Sequence, residues 1–328
     1  MRVRSTSRAS ISPMQRASTR DQRPTLIVLL GPTGVGKTAL GIQLALQLGC
    51  SILSADSRQI YRELPIGTAA PTPEERAAVP HYFVGTHSVT EGYSAASYEA
   101  DVLRLLEGLF VDHPIQLLSG GSMMYIDAVC RGIDEIPDVD PAIRTEVWHR
   151  YETQGLAPIL TELEQLDPRY YATVDHQNYK RVLHGYEVCL STGRPFSSFH
   201  TGQAKHRPFD IIKIGLTRER EELYARIDER VLQMMSLGLE AEARAVYPHR
   251  HLNALNTVGY KELFAYFDGT VSLDEAIRLI QRNSRHYARK QLTWWKRDPE
   301  VRWYHPEDIE GIENALGRHT YLYGGEWG

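Results

Sequence analysis

Short apolar runs alternate with amphipathic segments over the first 120 residues of the chain. The runs TLIVLL (25–30), SILSA (51–55) and IQLLS (115–119) are bounded by turn-forming residues, which predicts buried parallel strands. Residues 38–48 and 94–110 have a helical pattern, with Leu40, Leu44 and Leu48 on one stripe and Ser94 as the expected N-cap. Strands that alternate with helices predict a three-layer α/β domain.

The pattern changes near Pro137, where strand-like runs stop and helical segments rich in Tyr, Arg, His and Glu begin. A strand pattern returns at DIIKIGL (210–216), and long helices are expected around 219–246 and 272–297. The last helix opens with a capping-box pattern at Ser272 and Glu275. We therefore predict a core domain built from residues 24–136 and 205–328, interrupted by an all-helical insertion at 137–204.

Composition narrows the class of protein. The 328 residues are 42% hydrophobic, enough for two domains, and the net charge of −4 means that a nucleic acid would need a local basic face. The three cysteines lie far apart without the spacing of a zinc site, which favours reduced thiols in the cytoplasm. No apolar run approaches the roughly 20 residues of a membrane span. We expect a monomer that does not associate with membranes.

The first 23 residues differ from the rest in being rich in arginine and serine, with Asp21 as their only acid. Such a composition is typical of an organellar transit peptide, of a disordered basic tail, or of a start codon upstream of the one at Met14. We predict a disordered basic tail, because the segment lacks a strong amphipathic pattern.

A glycine-rich loop between the first strand and the first helix carries the clearest chemical motif. It reads Gly31, Pro32, Thr33, Gly34, Val35, Gly36, Lys37, Thr38 and matches the P-loop pattern GxxxxGK[ST]. Backbone N–H groups of such a loop and the helix N-terminus bind phosphate oxygens, the lysine adds a charge, and the hydroxyl of Thr38 is placed to hold Mg²⁺. The motif predicts a diphosphate or triphosphate ligand without saying which group leaves.

Two further strand ends should face the same crevice, because ligands of open α/β sheets bind beyond the carboxyl ends of the strands. Asp56 ends the second strand and is a candidate general base, an N-cap, or part of a magnesium shell. The third strand ends in Ser119, Gly120 and Gly121, where a P-loop ATPase usually has an acidic residue. Group transfer from a diphosphate is therefore favoured over nucleotide hydrolysis.

Two basic segments are candidates for nucleic-acid contact. Arg278, Arg282, Arg285 and Arg289 are spaced to share one helix face, which would suit either a polyanion or an ordinary solvated surface with acidic neighbours. Within the insertion, aromatic and basic residues interleave between Tyr170 and His184, a pattern typical of base-stacking surfaces and equally of amphipathic helices.

The order of motifs along the chain resembles the tRNA dimethylallyltransferases (tRNA isopentenyltransferases) from about residue 25 to about residue 304. The blocks that carry this resemblance are GPTGVGKTALGIQLA, SADSRQIYRELPIGTAAP, HYFVGT, YSAASYEAD, LLSGGSMMY, VGYKEL and RKQLTWW. The family's fold is a P-loop kinase-like core with an inserted helical domain, in agreement with the pattern above. The zinc finger that ends the eukaryotic members has no counterpart, so we expect a bacterial-type enzyme.

The resemblance implies transfer of a dimethylallyl group from its diphosphate to the exocyclic amine of the adenosine 3′ to the anticodon, with Mg²⁺ and release of diphosphate. Residues Gly31 to Thr38 would hold the allylic diphosphate, with Arg220 as a further ligand, and Lys37 and Thr38 would act in catalysis beside Asp56 as general base. The residues that match tRNA-contacting positions of the family are Asp56, Ser57, Arg58, Gln59, Ser122, Arg144, Lys180, Arg181, Val182, Leu183, His184, Asn256, Thr257, Val258, Gly259, Tyr260 and Lys261. Ser122 and His184 depart from the usual threonine and arginine of the family.

Two other enzyme classes fit the P-loop. An adenylate isopentenyltransferase would use free AMP, ADP or ATP as acceptor, but a free nucleotide would not require the large insertion or the arginine stripe. A small-molecule or nucleotide kinase is disfavoured by the absence of an acidic residue after the third strand.

Overall fold

The computed structural model describes residues 23–320, so the predicted basic tail lies outside the described residues except for Arg23. Within that range the strands are β1 (Thr25–Leu30), β2 (Ile52–Ser54), β3 (His81–Tyr82), β4 (Ile115–Gly120), β5 (Asp210–Leu216) and β6 (Arg302–Tyr304). They form one parallel sheet in the order β3-β2-β4-β1-β5-β6. The α/β class and the parallel sheet that the sequence predicted are confirmed.

The α-helices are α1 (Lys37–Leu48), α2 (Pro73–Ala78), α3 (Ala95–Asp112), α4 (Met123–Arg131), α5 (Pro141–Gln154), α6 (Ala157–Leu166), α7 (Pro168–Tyr171), α8 (Tyr179–Thr192), α9 (Arg220–Ser236), α10 (Leu239–Val246), α11 (Tyr260–Phe267), α12 (Leu273–Trp295) and α13 (Ile309–Thr320). Among residues 23–320, every helix is too short or too polar to cross a lipid bilayer.

The chain divides into two compact units. One contains the sheet and is built from the described residues up to Cys130 and from Arg207 onward; the other is Arg131–His206, where the sequence predicted an insertion at 137–204. The second unit contains α5 to α8 and no strand between residues 131 and 206. Its core includes Val147, Leu163 and Tyr186.

The core of the first unit has β1 at its centre, and all six residues of that strand are buried. Ile27 and Leu29 pack into the cluster on one face of the sheet, with Leu40 and Leu44 of α1. Leu26, Val28 and Leu30 pack into the cluster on the other face. A strand that is buried on both faces has an unbroken apolar sequence, which explains why TLIVLL was recognisable.

Two details of the predicted helices are corrected. The helix expected over 219–246 is interrupted at Gly238, whose φ of 103° lies in the left-handed region, so it forms α9 and α10. At the start of α12 the Ser272 hydroxyl accepts a hydrogen bond from the Glu275 N–H (3.2 Å). The Glu275 carboxylate pairs with Arg278 instead of returning to Ser272, so half of the expected capping box forms.

A buried ion pair closes one end of α4. Arg207 forms an ion pair with Glu99 (2.7 Å), and both side chains are 7% exposed. The same guanidinium donates to the carbonyl oxygens of Ala128 and Val129 (2.7 and 2.8 Å), which lie in the last turn of α4. Arg207 thus neutralises a buried carboxylate and supplies donors to carbonyls at a helix end.

We predict that Arg207→Ala lowers the free energy of unfolding by about 3–5 kcal/mol, because the carboxylate of Glu99 stays buried without this partner. The measurement is urea unfolding followed by circular dichroism. Arg104→Ala is the matched control: Arg104 pairs with Asp101 (3.4 Å) on the same helix as Glu99 but is 77% exposed, so a loss of about 0–1 kcal/mol is expected. Equal losses in the two variants would contradict the prediction.

Candidate active site

The P-loop connects the carboxyl end of β1 to the start of α1. Gly36, the residue before the helix, has φ 114°, a left-handed conformation that favours glycine. The ammonium of Lys37 donates to the carbonyl oxygens of Gly31 (2.8 Å) and Pro32 (2.9 Å), so it is held within the curve of the loop. Thr38, in the first turn of α1, is exposed to the adjoining cavity.

Lys37 has an unusual acid–base environment. Its pKa is lowered to about 7, mainly by burial and then by the nearby guanidinium of Arg230, while the carboxylate of Asp56 acts in the opposite direction. Burial also lowers the pKa of Arg230, again opposed by Asp56. Two partly buried cations close to one carboxylate give the site a preference for an anionic ligand.

Two arginines of α9, Arg226 and Arg230, contact the P-loop, whereas the sequence indicated Arg220. Arg226 donates to the Gly34 carbonyl (3.1 Å) and Arg230 to the Thr33 hydroxyl (3.3 Å), because residues four apart share a helix face. Arg220, the expected diphosphate ligand, is exposed, does not line the cavity, and lies over the Tyr224 ring with its guanidinium carbon 5.3 Å from the centroid. The spacing within RIDER would have indicated the pair that contacts the P-loop.

A turn after β2 presents Asp56. Its Oδ1 accepts hydrogen bonds from the N–H groups of Arg58 (2.9 Å) and Gln59 (3.3 Å). The amide of Gln59 donates to the Thr68 and Ala69 carbonyls (3.2 and 3.1 Å). The Ser54 hydroxyl also donates to Gln59, with an oxygen–oxygen distance of 3.0 Å. The orientation of the carboxylate is therefore fixed by its own turn, and the turn is tied to the segment 68–69.

Gln291 of α12 joins the P-loop to the turn after β4. Its Oε1 accepts from the Thr33 N–H (2.9 Å), its Nε2 donates to the Gly121 carbonyl (2.7 Å), and the residue is 1% exposed. The sequence analysis missed this residue, although it lies in the RKQLTWW block. Its signal was a polar residue on the buried side of an amphipathic helix.

The P-loop and the Asp56 turn open into one cavity of about 1380 Å³. Its lining includes Thr33, Gly34 and residues 36–38, all of the stretch 56–59, and most of the stretch 256–261. Two expected tRNA-contacting residues are corrected: Ser122 is buried outside the lining, and Tyr260 is fully buried with its hydroxyl on Glu242. The structure thus brings together motif residues from three parts of the sequence.

In the second unit, α8 carries the predicted segment from Lys180 to His184. Lys180, Arg181 and His184 are exposed, but Val182 and Leu183 are buried in the core of the unit, which corrects their expected contact with tRNA. Partial desolvation of its ring, which packs against Phe196, lowers the pKa of His184, and Arg144 and His200 lower it further. Arg144 itself lies 3.6 Å from the carboxylate of Glu187 and remains about half exposed.

The aromatic residues of the insertion pack mainly on one another. Tyr179 stacks on Tyr151 at 5.1 Å between centroids, and Tyr170 meets the edge of Phe196 at 4.7 Å. The aromatic residues that interleave with basic ones in the sequence are therefore explained by packing within the unit.

The arginine stripe on α12 is partly neutralised. Arg278 pairs with Glu275 and Arg285 with Asp228. A smaller cavity of about 530 Å³ lies further along the helix, lined by Met123, His286, Arg289, Lys290, Thr293, Trp294 and Arg297. The basic surface with an accessible aromatic ring is therefore displaced toward the C-terminal end of α12.

Comparison with known proteins assigns the chain to a family. The family model described as IPP transferase matches residues 59–298. The tRNA dimethylallyltransferase 2 of Porphyromonas gingivalis is 67% identical over 295 residues, which cover 90% of this chain and 98% of that protein. The tRNA dimethylallyltransferase 1 of Bacteroides fragilis is 60% identical over 292 residues, covering 89% of this chain and 97% of that protein.

Solved structures agree. The tRNA isopentenylpyrophosphate transferase of Bacillus halodurans superposes with a TM-score of 0.66 at 33% identity, over 92% of this chain and 96% of that one. A second match is a eukaryotic dimethylallyltransferase, solved in a study of its action on tRNA. It superposes with a TM-score of 0.76 at 22% identity, over 90% of this chain and 77% of that one, and it supports the fold. The chain belongs to the tRNA dimethylallyltransferase family, the IPP transferases.

Proposed function

We propose that the protein transfers a dimethylallyl group from dimethylallyl diphosphate to the exocyclic amine of the tRNA adenosine 3′ to the anticodon, with release of diphosphate. The observation that carries this proposal is the shared cavity, in which a P-loop with two partly buried cations and the carboxylate of Asp56 line the same space. One wall suits a diphosphate leaving group and the other suits a nucleophile that must lose a proton.

The donor would bind through the P-loop amides, Lys37 and Arg230. These groups stabilise the negative charge that grows on the diphosphate as the bond to the allylic carbon breaks. Thr38 is exposed beside them, so its hydroxyl and the diphosphate oxygens form a donor set that fits Mg²⁺. Bound Mg²⁺ would neutralise part of the charge on the leaving group.

The acceptor would lie on the side of Asp56. The lone pair of an adenine amine is delocalised into the ring, so its attack on the allylic carbon is helped by a base that accepts the proton as the carbon–nitrogen bond forms. General-base catalysis of this kind contributes about 10²- to 10⁴-fold in rate. The target base must leave the anticodon stack to reach the cavity, which costs little for a loop nucleotide.

Contacts with tRNA are proposed from exposed basic residues. Lys180, Arg181, His184 and Arg144 of the insertion are candidates for phosphate contacts. Residues 256–259 and Lys261 border the cavity itself, and the basic surface around Trp294 would bind the phosphate backbone. We also propose that the protein acts as a monomer in the cytoplasm, where its acceptor is found.

The choice of acceptor tests the proposal. Purified protein is incubated with radiolabelled dimethylallyl diphosphate and Mg²⁺, and offered an unmodified anticodon stem-loop, AMP or ATP. We expect label in the stem-loop, lost when the adenosine next to the anticodon is replaced by another nucleoside. Label that enters only free nucleotide would assign an adenylate isopentenyltransferase, and label that enters none of them would refute the assigned donor.

Asp56→Ala is expected to lower kcat by about 10²- to 10⁴-fold, because the amine loses its proton acceptor. Binding of the stem-loop should persist, since the other residues of the cavity remain. Single-turnover rates and gel-shift affinities separate the two effects. Turnover near the wild-type rate would exclude Asp56 as the base.

Arg230→Gln and Arg220→Gln form a matched pair on one helix. A charge-assisted hydrogen bond to diphosphate is worth about 1.5–3 kcal/mol, so we expect Arg230→Gln to weaken binding by about 10- to 150-fold. Arg220→Gln should bind as the wild type does, because Arg220 lies outside the cavity. Calorimetry with dimethylallyl diphosphate measures both, and the reverse ranking would restore the assignment from sequence.

A further inference from the structure

The carboxylate of Glu242 on α10 supports one wall of the large cavity. Its Oε2 accepts a hydrogen bond from the Ile66 N–H (2.8 Å) and its Oε1 from the Gly67 N–H (2.8 Å). Oε1 also accepts from the Tyr260 hydroxyl (2.6 Å). A single side chain thus joins α10, the segment 65–70 and the first residue of α11, and residues of that segment line the cavity.

Close packing fixes the segment 65–70 at the same point. A Cβ placed on Gly67 would lie 2.5 Å from the Tyr260 hydroxyl oxygen and 2.7 Å from the ring carbon that bears it. The backbone of the segment therefore rests directly on Tyr260, and glycine is required there by space. The close packing on Tyr260 and the hydrogen bonds to Glu242 together fix the position of the segment 65–70.

From the segment 65–70 the contacts lead back to the Asp56 turn. The Thr68 and Ala69 carbonyls accept from the Gln59 amide, and the Gln59 N–H donates to Asp56 Oδ1 (3.3 Å). Ala69 has φ 45°, a strained conformation for alanine that persists only when its surroundings impose it. Displacement of the segment would therefore move Gln59 and, with it, the turn that orients Asp56.

We propose that Glu242 is a positioning residue that sets the acceptor side of the site, acting through residues 66–69 and Gln59 on Asp56. This inference rests on the proposed function for the role of Asp56 and for the identity of the acceptor. Its distinctive consequence is selectivity: loss of the carboxylate should impair reaction with the acceptor and leave diphosphate binding intact, because the P-loop is held by other contacts, from Arg226, Arg230 and Gln291.

Glu242→Gln is the informative change, because it keeps size while removing the negative charge and one of the two acceptor oxygens. In the amide an NH2 group replaces one of the two oxygens that accept from Ile66 and Gly67, so one of these N–H groups faces a donor and loses its partner. Misplacement of a reacting group by about 1 Å costs up to about 100-fold in rate, so we expect kcat/KM for the stem-loop to fall by about 10- to 100-fold. The affinity for dimethylallyl diphosphate should match that of the wild type.

The control is Glu240→Gln on the same helix. Glu240 pairs with the exposed Arg244 (2.9 Å) and is not part of the cavity lining, so wild-type kinetics are expected. Tyr260→Phe is a second, milder variant that removes one of the three hydrogen bonds and keeps both N–H contacts. Its loss of kcat/KM should lie between those of the other two variants.

Amide hydrogen exchange of residues 66 and 67 gives a readout that does not depend on activity. Faster exchange in Glu242→Gln, with exchange in β1 and β4 unchanged, would support the inference when combined with impaired reaction and intact diphosphate affinity. The inference would be overturned if Glu242→Gln and Glu240→Gln had the same kcat/KM and the same exchange rates. It would also be overturned if Glu242→Gln lost affinity for dimethylallyl diphosphate together with its activity. If the wild type prenylates only AMP, the proposed acceptor is wrong, and the same comparison of variants is made with AMP.

Discussion

Desolvation of positive charge is the constraint from which the site is built. The side chains of Lys37 and Arg230 lie partly buried beside the P-loop, where desolvation disfavours their charged forms and their mutual repulsion adds to the cost for Lys37. Hydrogen bonds to the carbonyls of Gly31 and Pro32, and the charge of Asp56, offset only part of that cost. A bound anion would offset the remainder, so the site favours a negatively charged ligand.

Polar side chains around Lys37 and Arg230 mainly hold the backbone of the P-loop and of the Asp56 turn in place. Gln291 satisfies an N–H of the P-loop and a carbonyl of the next strand end, and Arg226 satisfies a carbonyl of the loop. On the opposite wall, the turn of Asp56 is fixed by its own N–H groups and through Gln59. The two walls are thus held by separate sets of contacts, which permits independent adjustment of leaving-group and acceptor chemistry.

The sequence predicted the centre of the fold better than its margins. β1 and β5 were found with their observed bounds; β1 is buried on both faces and has an unbroken apolar run, whereas β5 kept an apolar pattern around Lys213 and is buried in its last four residues. β3 and β6 were missed, since they contain two and three residues at the sheet edges and are incompletely buried. The division of α9 from α10 was also missed, because the amphipathic pattern continues across a glycine that changes the backbone direction.

Within the site, residues next to strand ends were predictable and residues from remote helices were not. Lys37, Thr38 and Asp56 follow directly from β1 and β2, whose carboxyl ends meet at one edge of the sheet. Gln291 and Glu242 reach the site across 258 and 176 residues of sequence, and no local pattern encodes such partners. A motif match identifies a segment, but helix periodicity decides which of its side chains face outward. Val182 and Leu183 lie in a matching segment, yet their side chains face the core.

The central position of β1 leaves one of its edges unpaired while later parts of the chain are still being synthesised. β1 pairs with β4 on one side and with β5 on the other, and residues 121–209, which include the whole second unit, separate these two partners. At a translation rate of about 5–20 residues per second, β5 follows β4 from the ribosome by roughly 4 to 18 seconds. During that interval the most apolar strand of the protein has one open edge, so the length of the insertion sets how long a nascent chain is exposed to mispairing and to chaperones.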